Sequence, residues 1–206
     1  MSTKTEATPP ARELGRPRNV ELDHKVLQAV RELLAEEGYQ RLSVNKVTQR
    51  CGVHVRTINR RWDTKVEMVA AAVFGGDDPV SERRGDFPTG RLEPDLRELI
   101  RRNLDYLSDP AVASAMPALL TEVATNANAQ ELMVNREREW EAMINLVLKR
   151  AVESGEVSKR ALKRGHILPM ILGSVTFLNR FQPWDLSAET LVNELADFVV
   201  TALRAS

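Results

Sequence analysis

Apolar residues recur three and four positions apart over almost the whole chain from Glu21 onward, and strict alternation is nowhere sustained. A helix turns once per about 3.6 residues whereas a strand alternates every two, so this spacing restricts the chain to amphipathic helices packed on one another. Glycine and proline set the limits of each helix, since glycine admits left-handed backbone and proline cannot continue a hydrogen-bonded ladder. The spacing predicts a first helix carrying Leu22, Val26, Leu27, Val30, Leu33 and Leu34 and stopped by Gly38. A short helix capped by Ser43 and ended by Cys51-Gly52 comes next, then another from His54 to Trp62, then a fourth capped by Thr64 and stopped by Gly75-Gly76.

Residues 75–94 hold Pro79, Pro88 and Pro94 with Gly75, Gly76, Gly85 and Gly90, which predicts a linker without regular structure. Beyond it the periodicity predicts helices at 95–108, 111–126, 130–154 and 159–181, the last kinked at Pro169. Ser187 caps a terminal helix with apolar positions from Leu191 to Leu203. The expected class is all-α: a flexible basic arm (1–19), a helix-turn-helix domain (20–74), the linker (75–94) and a larger helical domain (95–206).

Composition excludes several classes. No apolar run nears the roughly 20 residues that span a bilayer, and the polar start MSTKTEATPP lacks the apolar core of a secretory signal, so the cytoplasm is the expected location. The single cysteine, Cys51, permits no intrachain disulfide and reads as a small buried residue rather than a redox sensor. The three histidines are dispersed, and neither a metal-ligand spacing, a nucleophile–base pair nor a phosphate loop is present, so no catalytic residue, metal or cofactor is expected. Net charge is zero, yet residues 1–65 hold 13 Lys/Arg against 8 Asp/Glu and the remainder is correspondingly acidic. Local cation density governs attraction to a polyanion, because charges farther apart than about 8 Å are largely screened.

The stretch SVNKVTQRCGVHVRTINRRWDTK, with its support helix, short Gly-containing turn and second helix with a polar outer face, has the parts of a DNA-reading helix-turn-helix. It resembles the DNA-binding domain of the tetracycline-repressor (TetR) family on Gly38-Tyr39, Ser43, Gly52-Val53, Thr57-Ile58, Trp62 and Lys65. That family more often has Ser at the position of His54, Tyr at that of Asn59 and Ala at that of Thr48, so base preferences do not transfer. The resemblance implies operator contacts by Ser43, Asn45, Arg56, Thr57, Asn59, Arg60 and Lys65, with Ser43 and Lys65 on phosphates. Arg56 has the fork geometry for a guanine edge, and Arg16 and Arg18 of the arm have the charge for an adjacent minor groove. Leu42, Val47, Val53, Ile58 and Trp62 read as the small core beneath these groups.

For the second half the resemblance implies an effector-binding and dimerisation domain. The broad apolar faces of the last two helices predict a homodimer interface containing Ile171, Val175, Leu191, Leu195, Phe198, Val199 and Ala202. A symmetric dimer matches a palindromic operator. Candidate pocket residues for a small-molecule effector are Asn103, Tyr106, Met116, Met133, Trp140, Met143, Met170 and Phe177, each of which also suits a core position. The expected function is that of a sequence-specific DNA-binding transcriptional regulator, a repressor released by an effector. The competing readings are a protein-interaction adaptor with a basic face and a DNA-binding regulator without an inducer.

Overall fold

Helix α1 spans Val20–Glu37 and ends where Gly38 takes φ 85° and ψ 163°, a positive-φ extended conformation essentially confined to glycine. The structure, a computed structural model, describes residues 20–75, 89–163, 165–181 and 187–205. Arg16 and Arg18, and most of the linker at 75–94, therefore lie outside the described residues. After Gly38 a single 3-10 turn, Tyr39–Arg41, tucks the Tyr39 ring inward. Helix α2 (Val44–Cys51) starts on Ser43, whose Oγ accepts from Lys46 N at 3.4 Å. Helix α3 (Val55–Asn59) is shorter than its sequence pattern, but the N–H groups of Arg61 and Trp62 still donate to the Ile58 carbonyl, so Arg60 and Arg61 sit in its closing turn. Helix α4 (Lys65–Phe74) is capped by Thr64, whose Oγ1 accepts from Glu67 N at 3.2 Å.

The rest of the described chain is also helical: α5 (Leu92–Ser108), α6 (Pro110–Glu122), α7 (Ala127–Glu153), α8 (Ile167–Phe181) and α9 (Ala188–Arg204), with 3-10 turns at Val123–Thr125 and Lys159–Lys163. Two prolines fall elsewhere than the periodicity implied. Pro94, expected in the linker, lies in the first turn of α5, and Pro169, expected to kink a long helix, lies in the first turn of α8. Neither disrupts its helix, because the first-turn N–H groups have no intrahelical partner to lose. Pro117, by contrast, is inside α6 and removes the N–H that would close on the Ala113 carbonyl. The entry to α5 is fixed by the buried Asp95 carboxylate, which accepts from Thr89 N (2.8 Å), Thr89 Oγ1 (2.7 Å) and Gly90 N (2.9 Å).

Nearly every residue of α4 is buried, since it packs on α1 toward the N-terminal side and on α6 and α7 toward the other. The two domains expected from the sequence thus share one continuous apolar core. Polar clamps reinforce the junction. The Arg31 guanidinium donates to the Ala72 carbonyl at 2.9 Å and pairs with Asp109 at 3.0 Å. The buried Glu67 carboxylate accepts from Asp63 N (2.9 Å), Asn126 Nδ2 (3.0 Å) and Asn128 Nδ2 (3.2 Å). Burial pushes its pKa up, but these donors outweigh burial and hold it below the usual glutamate range.

Helix α5 is the axis of the C-terminal half, contacting α7, α8 and α9. Its demand for apolar partners draws on the expected dimer face: Ile171 and Val175 are fully buried, and Leu191 and Val199 are also buried, all within this one chain. Phe198 stays exposed, with Leu195 and Ala202 half-buried beside it on α9. No described helix is long and apolar enough to cross a membrane.

Candidate nucleic-acid interface

The turn between α2 and α3 depends on Gly52, which takes φ 70° while its N–H donates to the Thr48 carbonyl at 2.8 Å. A Cβ there would touch nothing within 4 Å, so backbone conformation rather than space requires glycine. His54 takes the N-cap of α3, its Nδ1 accepting from Arg56 N over a long 3.4 Å. Beneath the turn, Val47 and Ile58 are fully buried and Leu42, Cys51 and Val53 nearly so, with Trp62 partly buried against them. This wedge fixes the angle between α2 and α3 and pushes their polar side chains outward.

Ser43, Asn45, Arg56, Asn59 and Arg60 are exposed and Thr57 is half-buried. The cations around them divide into two sets. Arg50 is held by Glu36 (2.6 and 3.0 Å) and Glu32 (3.2 Å), Lys46 pairs with Glu37, and Arg61 pairs with Asp23. The Arg50 hydrogen bond holds the Glu36 carboxyl below its usual range. The guanidinium groups of Arg56 and Arg60 have no ion-pair partner among the described residues. Arg41, which sequence reasoning did not select, is exposed two residues before Ser43 and is likewise unpaired among the described residues.

Lys65 differs from the other expected contacts. Its Nζ donates to the Tyr39 carbonyl at 2.6 Å and stands 4.2 Å from the centre of the Tyr39 ring. Burial pulls its pKa below the usual lysine range, against the opposing pull of Glu122. Tyr39 in turn donates from its hydroxyl to Glu122 at 2.9 Å and from its N–H to Ser114 Oγ at 3.0 Å. Burial first, and then the Glu122 carboxylate, raise the phenol pKa well above the usual tyrosine range. The residue that opens α4 is therefore tied, through Tyr39, to α6 of the C-terminal half.

On its other side α6 forms a wall of a cavity of about 550 Å³ that is half open to solvent, with Met116, Pro117 and Leu120 facing Gly173, Thr176 and Phe177 of α8. Leu107 at the end of α5 closes one side and Arg180 lies at the rim. Of the eight candidate pocket residues, Met116 and Phe177 line this space. Tyr106 is buried, with its hydroxyl on the Val73 carbonyl at 3.1 Å; Trp140 is buried; Met133 and Met143 are partly buried against the core; Met170 is exposed. Asn103 is buried with its Oδ1 lacking a hydrogen-bond partner. Periodicity marks such residues as inward-facing but does not say which of several helix pairs separates to leave room.

Among the described residues no group of His, Cys, Asp and Glu could hold a metal ion, and Cys51 is buried and free of any disulfide.

Residues 26–72 match the family model described as bacterial regulatory proteins of the tetR family, and residues 87–199 match the tetracyclin repressor-like C-terminal domain. Proteins described as uncharacterized HTH-type transcriptional regulators from Mycobacterium bovis and Mycobacterium tuberculosis are 33% identical over 150 residues, covering 71% of this chain and 68% of theirs. A TetR transcription regulator from Haloarcula marismortui shares the fold with a TM-score of 0.69 at 17% identity, covering 89% of this chain and 98% of its own. The transcriptional regulator FadR from Bacillus subtilis, solved in complex with stearoyl-CoA, does so with a TM-score of 0.64 at 18% identity, covering 86% and 97%. With a helix-turn-helix that keeps Arg56 and Arg60 exposed and unpaired among the described residues, and with family matches over both halves, the chain belongs to the TetR family of DNA-binding transcriptional regulators.

Proposed function

We propose that this regulator is a dimeric repressor that reads a palindromic operator and leaves it when a small molecule occupies the helical half. The observation that carries the reading is the division among its cations: Arg56 and Arg60 stay exposed and unpaired among the described residues, while Arg50, Lys46 and Arg61 beside them are neutralised by α1. A protein whose basic face served only solubility would have no reason to keep these two free beside so many carboxylates. Arg56, Thr57 and Asn59 supply base-edge contacts, while Ser43, Asn45, Arg60 and Arg41 bind the phosphate backbone. Lys65 adds its remaining ammonium protons to a phosphate while keeping its hold on Tyr39. Arg16 and Arg18 carry the charge for a contact in the adjacent minor groove.

The second copy covers Phe198, Leu195 and Ala202 of α9, the part of the terminal stripe that the chain's own packing leaves accessible. Release runs through α6, which touches the cavity with Met116, Pro117 and Leu120 and Tyr39 with Ser114 and Glu122. A ligand that favours a shifted α6 loosens the Tyr39–Lys65 hold at the start of α4 and so the spacing of the two reading heads. The stearoyl-CoA in the Bacillus subtilis FadR structure supports reading the helical half as a ligand-binding one.

The test is selection of a palindromic fragment from random duplexes followed by competition binding at physiological salt. Arg56→Ala is expected to weaken the selected site by about 5- to 150-fold, the equivalent of one lost base-edge pair, with unspecific binding little changed. Arg50→Ala is expected to leave affinity nearly unchanged. Absence of any sequence preference in the wild type, or equal effects of the two substitutions, overturns the reading. Phe198→Glu is expected to halve the mass in solution, and an intact dimer removes the α9 interface.

A further inference from the structure

Helix α8 carries Gly173 in its interior, as its seventh residue, where glycine costs about 1 kcal/mol relative to alanine. A glycine so placed normally lets another backbone come close, yet a Cβ built on Gly173 meets nothing within 4 Å. Gly173 is exposed, and what its missing side chain leaves widens the half-open 550 Å³ groove between α6 and α8 of which it forms part of the wall. Across that space stands Pro117, the helix-interior proline of α6. Past its first turn, each helix thus carries its least helix-compatible residue where it borders this space.

The cavity's chemistry is strongly one-sided. Leu107, Met116, Leu120, Leu172 and the Phe177–Phe181 ring pair, whose centroids are 4.9 Å apart, make its walls apolar. Asn179 is committed to the wall, its amide donating to the Leu107 carbonyl at 3.3 Å and its Oδ1 accepting from Ser108 at 3.2 Å. Two lining groups remain uncommitted among the described residues: the Thr176 hydroxyl and the Arg180 guanidinium, one helical turn apart on the same face of α8. Arg180 is the only cation among the described lining residues. A single guanidinium fork beside a hydroxyl suits the two oxygens of a carboxylate, and it offers too little charge for a polyphosphate.

We propose that this cavity binds an organic monoacid with an extended apolar body, its carboxylate on Arg180 and Thr176 at the rim and its body in the space that Gly173 and Pro117 leave between α6 and α8. The proposal deepens the effector reading and rests on it only for the regulatory consequence, since binding is measurable without DNA. The probe is dodecanoate at submicellar concentration, with 1-dodecanol and dodecyltrimethylammonium as neutral and cationic matches, titrated by calorimetry into the full-length chain. Dodecanoate is expected to bind at least tenfold more tightly than the alcohol and the ammonium compound not to bind. Arg180→Gln is expected to bring dodecanoate down to the alcohol's affinity, and Arg180→Lys to retain part of the preference. Gly173→Leu is expected to abolish binding of dodecanoate and alcohol alike, with a melting temperature no lower than that of the wild type, because the added side chain enters open space on a helix it favours.

Failure of dodecanoate to bind, equal binding of acid and alcohol, or a preference that survives Arg180→Gln overturns the assignment. So does undiminished binding to a folded Gly173→Leu variant, which would place the ligand elsewhere. If the acid binds as described but leaves operator affinity unchanged, the site stands and the effector reading fails.

Discussion

The N-terminal head and the helical bundle expose opposite kinds of surface. Among the described residues, the exposed large apolar side chains include only Val20 from the head, whereas Leu120, Leu146, Leu162, Met170, Phe177, Phe181 and Phe198 all belong to the bundle. The head instead exposes Ser43, Asn45, Arg56, Asn59 and Arg60. A polyanionic partner rewards unpaired cations and hydrogen-bond donors, whereas small apolar molecules and second copies reward unburied hydrocarbon. The head thus leaves cations and donors unpaired and the bundle leaves hydrocarbon unburied, and the shared core through α4 joins the two in one body.

The largest expected effect tests whether stability resides mainly in the bundle. Trp140, 3% exposed on α7, lies far in sequence from the reading face, and Trp140→Ala is expected to lower the unfolding free energy by about 3–5 kcal/mol in urea titrations. A loss below about 1 kcal/mol would show that the bundle is not packed as described. In the head, Gly52→Ala forces a left-handed alanine and is expected to cost about 1–2 kcal/mol without any steric clash. No loss on denaturation would mean that the turn between α2 and α3 has some other conformation.

The junction between the halves responds to acid. Because the Glu67 pKa is lowered on folding, its contribution is present above the ordinary glutamate range and is lost as pH falls through the folded value. Acid titrations of stability should therefore flatten in Glu67→Gln, and an unchanged acid limb would separate Glu67 from the junction. The smallest effect is expected at Thr48, whose buried Oγ1 has no hydrogen-bond partner. Thr48→Ala removes that unsatisfied hydroxyl and should be neutral or stabilise by up to about 1 kcal/mol; a clear loss would reveal a partner for the hydroxyl.

The head was legible because its signals are local. Ser43 and Thr64 cap the helices their positions predict, and Gly52 makes the left-handed turn that a Gly between two short amphipathic stretches implies. Arg56 and Arg60 are exposed because Ile58, between them, must be buried. Lys65 shows where locality ends: its role on phosphate came from resemblance, and its hold on Tyr39 arises from a 3-10 turn 26 residues earlier that periodicity does not mark. The bundle was legible only as a set of helices. Asn103, Trp140 and Met133 satisfy the same inward-facing pattern as Met116 and Phe177, but only the last two meet at the cavity.

By itself, then, the sequence determined the all-helical class, the caps, the Gly52 turn and the exposure of the polar side chains on α2 and α3, because each depends on backbone preference and side-chain spacing within a few residues. Tertiary structure decided which cations are spent on α1 carboxylates, which half of the terminal stripe is covered by α5, and where α6 and α8 stand apart. Those outcomes depend on which helix lies opposite which, and on how closely two surfaces distant in sequence fit together.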